Sequence, residues 1–219
     1  MNRLSSMLFA LTMLIGSSAS AVPTITFGGA AVTDEGLTSS VAGASVVDFN
    51  SALGATGSLA APGIGDYSGD FTVNEGSSST SASPAGNSSP FFSVPNPESS
   101  GAATLKLEGP ADYFGLYWGS IDDYNTLTFL DGDTVVASLT GLDVIAASAR
   151  LGDRMSRGSN RYVNFFFGLD TFDTIVFKST SFAFESDNHA FARVPEPGVL
   201  ALLGAGLFGF GFVRRSRRR

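Results

Sequence analysis

The sequence predicts a mainly β protein, an antiparallel β-sandwich of jelly-roll type, and three observations favour this fold class. Short segments rich in β-branched and aromatic residues follow one another closely from about residue 102 onward. Several of them alternate apolar and polar residues with a period of two, as half-buried strands do. Glycine and aspartate stand between them at turn positions, and only residues 144–151 carry a helical pattern. Many short strands with close turns are typical of a sandwich.

The predicted strands follow in chain order. Three short ones, bounded by glycine or aspartate, are expected at 24–27, 45–49 and 71–73. Seven more are expected at 103–107, 113–118, 125–130, 134–139, 162–167, 174–177 and 181–185. Asp131, Gly132 and Asp133 predict a hairpin, because an Asp-Gly pair accepts the positive φ of a tight turn.

A Ser/Pro-rich segment interrupts the strand pattern at residues 74–100. Its part from 75 to 89 is polar and of low complexity, with little to bury. We therefore predict a flexible surface loop within the exported domain, and O-glycosylation is a second interpretation of the same composition.

Composition limits the chemistry of the chain. With 219 residues and 43% hydrophobic content, it supports one domain of ordinary size. It has no cysteine, which excludes disulfides, thiolate metal sites and cysteine nucleophiles. Its one histidine, His189, is expected at the surface near the end of the last strand. No G-x-S-x-G nucleophile elbow is present, so we predict that the protein is not an enzyme.

Charge is segregated along the chain. Residues 22–193 hold seven basic and nineteen acidic residues, a formal charge of −12, whereas the whole chain has −7. A body of this charge repels nucleic acid and anionic lipid. It tolerates cations and neutral polymers such as polysaccharide.

The N-terminus predicts export. Arg3 precedes an apolar run at 7–16, and small residues follow, ending in Ala19 and Ala21. This order is typical of a Sec signal peptide, so residues 1–21 are expected to form a signal helix that signal peptidase removes after Ala21.

The C-terminus predicts a second targeting segment. Pro195, Glu196 and Pro197 precede an uncharged apolar stretch at 199–213, which is expected to form a single transmembrane helix in the precursor. Five arginines follow: Arg214, Arg215, Arg217, Arg218 and Arg219. Arginines after an apolar span stay on the cytoplasmic side, which places residues 22–194 outside the inner membrane.

This three-part end, residues 195–219, resembles the PEP-CTERM sorting signal. The resemblance implies that an exosortase, a membrane protease-transpeptidase, cuts near the Pro-Glu-Pro tripeptide and passes the body to the cell surface or the outside. It implies a transient stay in the inner membrane and a host that makes exopolysaccharide. The segments 112–129, 161–165, 172–176 and 182–188 are also similar to exosortase-dependent surface proteins, a resemblance that implies location and fold but no enzymatic activity.

One aromatic segment suggests a carbohydrate site. The candidates are three aromatic residues and three polar neighbours: Tyr113, Tyr117, Trp118, Asp122, Asp123 and Asn125. Sugars stack on aromatic rings, and carboxylates and amides accept bonds from sugar hydroxyls. Strict alternation instead places Phe114, Leu116 and Trp118 in the core, and it leaves Tyr113 and Tyr117 on a face where Gly115 and Gly119 make room.

Aspartate-rich turns suggest a structural calcium ion as a further hypothesis. They lie at Asp122 and Asp123, at Asp131 and Asp133, and at Asp187 and Asn188. None has the spacing of a known calcium loop, and turn formation alone also explains them. No other cofactor is expected.

These patterns together predict a non-enzymatic exported protein of the cell surface or extracellular matrix. We expect exosortase processing and association with exopolysaccharide or biofilm. The alternative is a secreted carbohydrate-active enzyme, similar to a glycoside hydrolase, that uses the same sorting signal.

Overall fold

A computed structural model describes residues 22–193, and fourteen β-strands and one short helix account for its regular structure. In chain order they are β1 (Thr24–Phe27), β2 (Ala30–Val32), β3 (Gly36–Thr38), β4 (Ser45–Val47), β5 (Thr56–Ala61), β6 (Gly65–Asn74), β7 (Phe91–Val94), β8 (Gly101–Ala111), β9 (Tyr113–Gly119), β10 (Asn125–Asp131), β11 (Thr134–Thr140), α1 (Gly141–Val144), β12 (Arg161–Phe166), β13 (Phe172–Ser179) and β14 (Phe184–Ala192). The predicted signal and transmembrane helices lie outside these residues. Within them, no helix is long and apolar enough to cross a membrane.

Twelve strands form one curled antiparallel sheet. Its order is β1-β12-β9-β14-β7-β6-β8-β13-β10-β11, with β4 paired to β14 and β5 paired to β6. Strands β2 and β3 form a separate hairpin. The predicted Asp-Gly hairpin joins β10 to β11, with Gly132 at φ +57°.

The curl brings the two halves of the sheet face to face around an aromatic core. Phe114 of β9 lies 5.8 Å from Phe129 of β10, measured between ring centroids, and Phe177 of β13 lies 5.7 Å from Phe184 of β14. All four rings are buried. The prediction of a mainly antiparallel β fold is therefore confirmed, with both layers supplied by one continuous sheet.

A second, smaller core covers the outer face of β9. We call it the outer cluster: the buried side chains of Tyr113, Tyr117, Tyr162 and Ala190. The β2–β3 hairpin and the chain after it close over this cluster with Leu37 and Val41. Strand β9 is consequently buried on both faces.

The Ser/Pro-rich segment differs from the predicted flexible loop. It contains the buried strand β7, and Ser81, Ala82 and Asn87 are also buried. Its polar groups bond to the folded body, since the amide of Ala82 donates to the carboxylate of Glu185 at 2.7 Å. The prediction was wrong because the low-complexity composition does not indicate burial, whereas the small residues of this segment pack closely against the folded body.

Three other local predictions were wrong. The helix occupies Gly141–Val144 rather than 144–151, where Asp143 accepts a hydrogen bond from the amide of Thr140 and caps its first turn. The last strand continues to Ala192, so His189 is a fully buried residue of β14 instead of a surface residue. Asp187 and Asn188 form a bulge in that strand, with Asn188 at φ +49°, and not an exposed turn.

Candidate functional site

Strand β9 carries the candidate aromatic residues, and its alternation follows the prediction. Phe114, Leu116 and Trp118 point into the main core. Trp118 is fully buried and stacks on Phe184 with 4.2 Å between centroids. This ring leaves no face open for a sugar.

Two more of the six candidates are also enclosed. Tyr113 is fully buried, and its hydroxyl donates to Oδ1 of Asn164 at 2.8 Å. Asn125 is fully buried between the hydroxyl of Ser179 and the carbonyl of Ala183. The room predicted beside Gly119 is filled by the protein itself, because a Cβ there would lie 2.9 Å from Pro84.

A cleft of about 700 Å³ opens beside the outer cluster, and Tyr117 lines it. We call it the arginine cleft and define it by Phe27, Tyr117, Tyr162, Arg157 and Arg161. The tyrosine rings are 3% and 0% exposed and form its floor, whereas Phe27, which is 45% exposed, stands at its rim. The cleft therefore joins aromatic surface to two guanidinium groups.

Backbone packing fixes the floor of the arginine cleft. The hydroxyl of Tyr117 donates to the carbonyl of Ala85, and that of Tyr162 donates to the carbonyl of Asn188 at 3.0 Å. Strand β3 passes so close that a Cβ on Gly36 would lie 2.4 Å from Cε1 of Tyr117. Burial raises the pKa of Tyr117, and the nearby Arg157 lowers it in part, so this hydroxyl stays neutral at physiological pH.

The two arginines have no acidic partner in the part of the chain that the structure describes. The ion pair found there, within 4.0 Å, joins Lys106 to Asp173. The guanidinium carbon of Arg161 lies 3.4 Å from the ring centroid of Phe27, and its Nη1 donates to the carbonyl of Val144. Its Nε is buried without a hydrogen-bond partner. Burial lowers the pKa of Arg161, which nevertheless stays charged because the ordinary value is so high.

A second, polar pocket of about 200 Å³ contains Asp122, together with Tyr124, Arg154 and Glu185. The hydroxyl of Tyr124 donates to Oδ2 of Asp122 at 2.5 Å. Glu185 is 3% exposed and accepts bonds from the hydroxyl of Ser120 and the amide of Ala82. Burial raises the pKa of Glu185 to about 7 and also raises that of Asp122. One of these carboxyl groups thus holds a proton close to neutral pH.

A second buried carboxyl group of β14, that of Asp187, lies two residues after Glu185. Asp187 is fully buried and accepts bonds from the side-chain amide of Asn87 and the backbone amide of Asn188. Burial raises its pKa to about 8, although both hydrogen bonds lower it. Such a carboxyl group is satisfied by its neighbours and has no open path to a substrate.

His189 lies in an aromatic environment and not in a catalytic triad. Its Nδ1 is 3.0 Å from the hydroxyl of Tyr67, and its Nε2 is 2.9 Å from the hydroxyl of Ser186. Its ring stacks on Phe177 at 5.0 Å. Burial lowers the pKa of His189 to about 3, so the imidazole is neutral and bridges two hydroxyl groups.

The remaining predicted site residues are separate from the arginine cleft. Asp123 is exposed at the start of the turn before β10, and Asp131 and Asp133 flank the β10–β11 hairpin. Within residues 22–193 no three histidine or carboxylate side chains lie close enough together to hold a metal ion. Calcium at the aspartate turns stays a prediction.

Sequence reasoning missed the arginine cleft because its parts are far apart in the chain. Phe27 and Arg161 are separated by more than 130 residues and meet through the pairing of β1 with β12, where Phe27 lies opposite Val163. One usable signal was present. Arg150, Arg154, Arg157 and Arg161 form the one dense group of basic residues in an otherwise acidic body.

Comparisons with known proteins concern the end of the chain. The family model for the PEP-CTERM protein-sorting motif matches residues 193–218. No curated protein sequence and no solved structure gives a significant match to the chain. The predicted processing residues, from Pro195 to Arg219, and the signal-peptide residues Ala19 and Ala21 lie outside the described residues. The last strand ends at Ala192, immediately before the matched motif.

Proposed function

From the premise that this chain carries a PEP-CTERM sorting signal, we propose that it is a non-enzymatic exported protein whose β-domain binds matrix polysaccharide at the cell surface. The motif itself is a C-terminal signal for export and surface localisation. One observation supports processing at this signal: the last strand of the described residues ends at Ala192, one residue before the motif begins. Cleavage near Pro195 would leave every strand of residues 22–193 intact, so we expect the β-domain to stay folded after the sorting signal is removed.

Exosortase processing is expected to depend on Glu196. Prolines stand on both sides of Glu196 in the sequence, and proline neither continues a helix nor donates to a sheet. We therefore expect this carboxylate to be a charged group that a protease can recognise. We expect Glu196→Ala and Pro197→Ala to accumulate a membrane-bound form, longer by roughly the 22 residues after Pro197. Immunoblots of membrane, surface and culture fractions measure both effects.

Glu98→Ala is the matched control, because Glu98 also follows a proline but lies exposed within the folded body. It is expected to be processed as the wild type is. Normal size and normal release of the Glu196→Ala protein would contradict the proposed role of the tripeptide.

Polysaccharide binding without cleavage is the second expected property. The exported protein should sediment with the host's exopolysaccharide and release no reducing sugar from it. We expect capture to persist after extended incubation, since a binding domain does not consume its ligand. Absence of capture would contradict the proposed binding function.

The polar pocket supports the enzyme as the second candidate function. Asp122 and Glu185 face one small space, and a carboxyl group with a pKa of about 7 suits a general acid, with Asp122 as the second carboxyl group. Release of reducing sugars that disappears in Glu185→Gln would favour this alternative. Glu108→Gln, a change at an exposed glutamate of β8, serves as the control.

A further inference from the structure

The arginine cleft deepens the proposed function, on which this inference rests. We propose that it binds a uronate unit of an acidic polysaccharide, with the sugar ring on the aromatic surface and the carboxylate on Arg157 and Arg161. The residues that carry the proposal line one cleft of about 700 Å³, a size typical of ligand sites.

Charge selects an anionic ligand. The formal charge of −12 on residues 22–193 repels a polyanion at long range, so attraction must be local to the cleft. There, neither Arg157 nor Arg161 is paired with any of the nineteen carboxylates in that range. Arg157 is exposed, and both arginines line the cleft without a carboxylate partner. An incoming carboxylate supplies the acceptors that the domain itself does not provide, and guanidinium groups bind carboxylates in a bidentate manner.

The aromatic surface favours a saccharide over a simple anion. Phe27 is 45% exposed even with the guanidinium group of Arg161 stacked on its ring. Behind it, Tyr117 and Tyr162 use their hydroxyl groups for bonds to the backbone, which fixes the ring positions. Phe27 therefore provides the exposed apolar contact for the C–H face of a sugar, and the two buried tyrosine rings hold the floor of the cleft in place beneath it.

The position of the cleft suits a surface-attached protein. Ala192, the last residue of β14, pairs with Tyr113, whereas Tyr117 lies four residues further along β9. At about 3.3 Å per residue, this separation is roughly 13 Å along the strand. The cleft therefore lies at a different position along β9 from the end of the last strand.

The test measures binding of the exported protein to three soluble polymers: polygalacturonate, neutral dextran and polyglutamate. We expect binding to polygalacturonate at physiological ionic strength, and at least tenfold weaker binding to the other two. Arg157→Gln should weaken binding to polygalacturonate about tenfold, because one charge-assisted contact is lost. Arg161→Gln should weaken it at least as much.

Lys178→Gln is the control, since it removes the same charge from an exposed position on β13. Arg157 forms no ion pair within the described residues, so its replacement also tests the site without the loss of a structural contact. Thermal melting of each variant verifies the fold.

The outcomes separate this inference from the proposed function. Equal binding to dextran, equal binding to polyglutamate, or unchanged affinity of Arg157→Gln would overturn the uronate site. If the wild type and Arg157→Gln sediment equally with the host's exopolysaccharide, the proposed function stands and the inference fails. If the wild type does not sediment with it, the proposed function fails whatever polygalacturonate shows.

Discussion

Replacement of Trp118 by alanine is expected to lower the free energy of unfolding by about 3–5 kcal/mol, a large part of what holds an ordinary domain folded. Trp118 is fully buried and stacks on Phe184. The truncation removes this contact and leaves a cavity between the layers that the sheet cannot close, because β9 is held by β12 on one side and β14 on the other. Urea unfolding followed by far-UV circular dichroism measures the loss.

Two variants give this prediction its controls. Trp118→Phe keeps most of the apolar volume and should cost clearly less than the alanine variant. Val135→Ala, at a half-exposed position of the edge strand β11, should stay within about 0.5 kcal/mol of the wild type. A Trp118→Ala protein of unchanged stability that no longer binds polysaccharide would place Trp118 in a binding site instead of the core.

The pattern of β9 illustrates what sequence can predict. Its alternation assigned Phe114, Leu116 and Trp118 to one face correctly, since neighbouring residues of a strand point to opposite sides. The pattern could not show that the other face is also buried. The cover comes from the β2–β3 hairpin, whose short strands of small residues carry no strong signal of their own.

The last strand illustrates the opposite case. The sequence predicts that the strand ends at Glu185, that Asp187 and Asn188 form a turn and that His189 is at the surface, because charged and amide residues usually face water. In the structure Glu185 to His189 are buried. Some of their partners are about 100 residues away in the chain, namely Asn87 for Asp187 and Ala82 for Glu185. A buried polar strand of this kind is only identifiable once its distant partners are known.

These buried polar residues predict an unusual dependence of stability on pH. Burial raises the pKa of Glu185 to about 7 and of Asp187 to about 8, and it lowers the pKa of His189 to about 3. Their ordinary values are 4.5, 3.8 and 6.5. Because the values differ between the folded and unfolded chains, protons are taken up or released on unfolding.

The two acids and the histidine act in opposite directions. The stabilising contribution of the acids is complete below pH 4 and is lost as the pH rises through 7 and 8, where the folded chain must ionise buried carboxyl groups. The stabilising contribution of His189 is complete above pH 6.5, its pKa in the unfolded chain, and is lost as the pH falls toward 3. Near pH 5.5 the folded chain holds two of these protons and the unfolded chain holds one.

A net difference of one proton corresponds to about 1.4 kcal/mol per pH unit. We therefore expect the free energy of unfolding to fall by about 4 kcal/mol between pH 5 and pH 8. Repulsion among the carboxylates of an acidic body acts in the same direction. Urea unfolding at fixed ionic strength across this range measures the slope.

The double variant Glu185→Gln/Asp187→Asn identifies the groups responsible. It removes both raised carboxyl groups and leaves His189, so its stability should no longer fall toward pH 8 and should instead decline below pH 6.5. Asp66→Asn/Glu75→Gln makes the same charge change at exposed positions and should keep the wild-type slope. If the wild type becomes more stable from pH 5 to pH 8, these carboxyl groups are ionised in the fold. Their hydrogen bonds from Asn87, Asn188 and Ser120 would then outweigh burial.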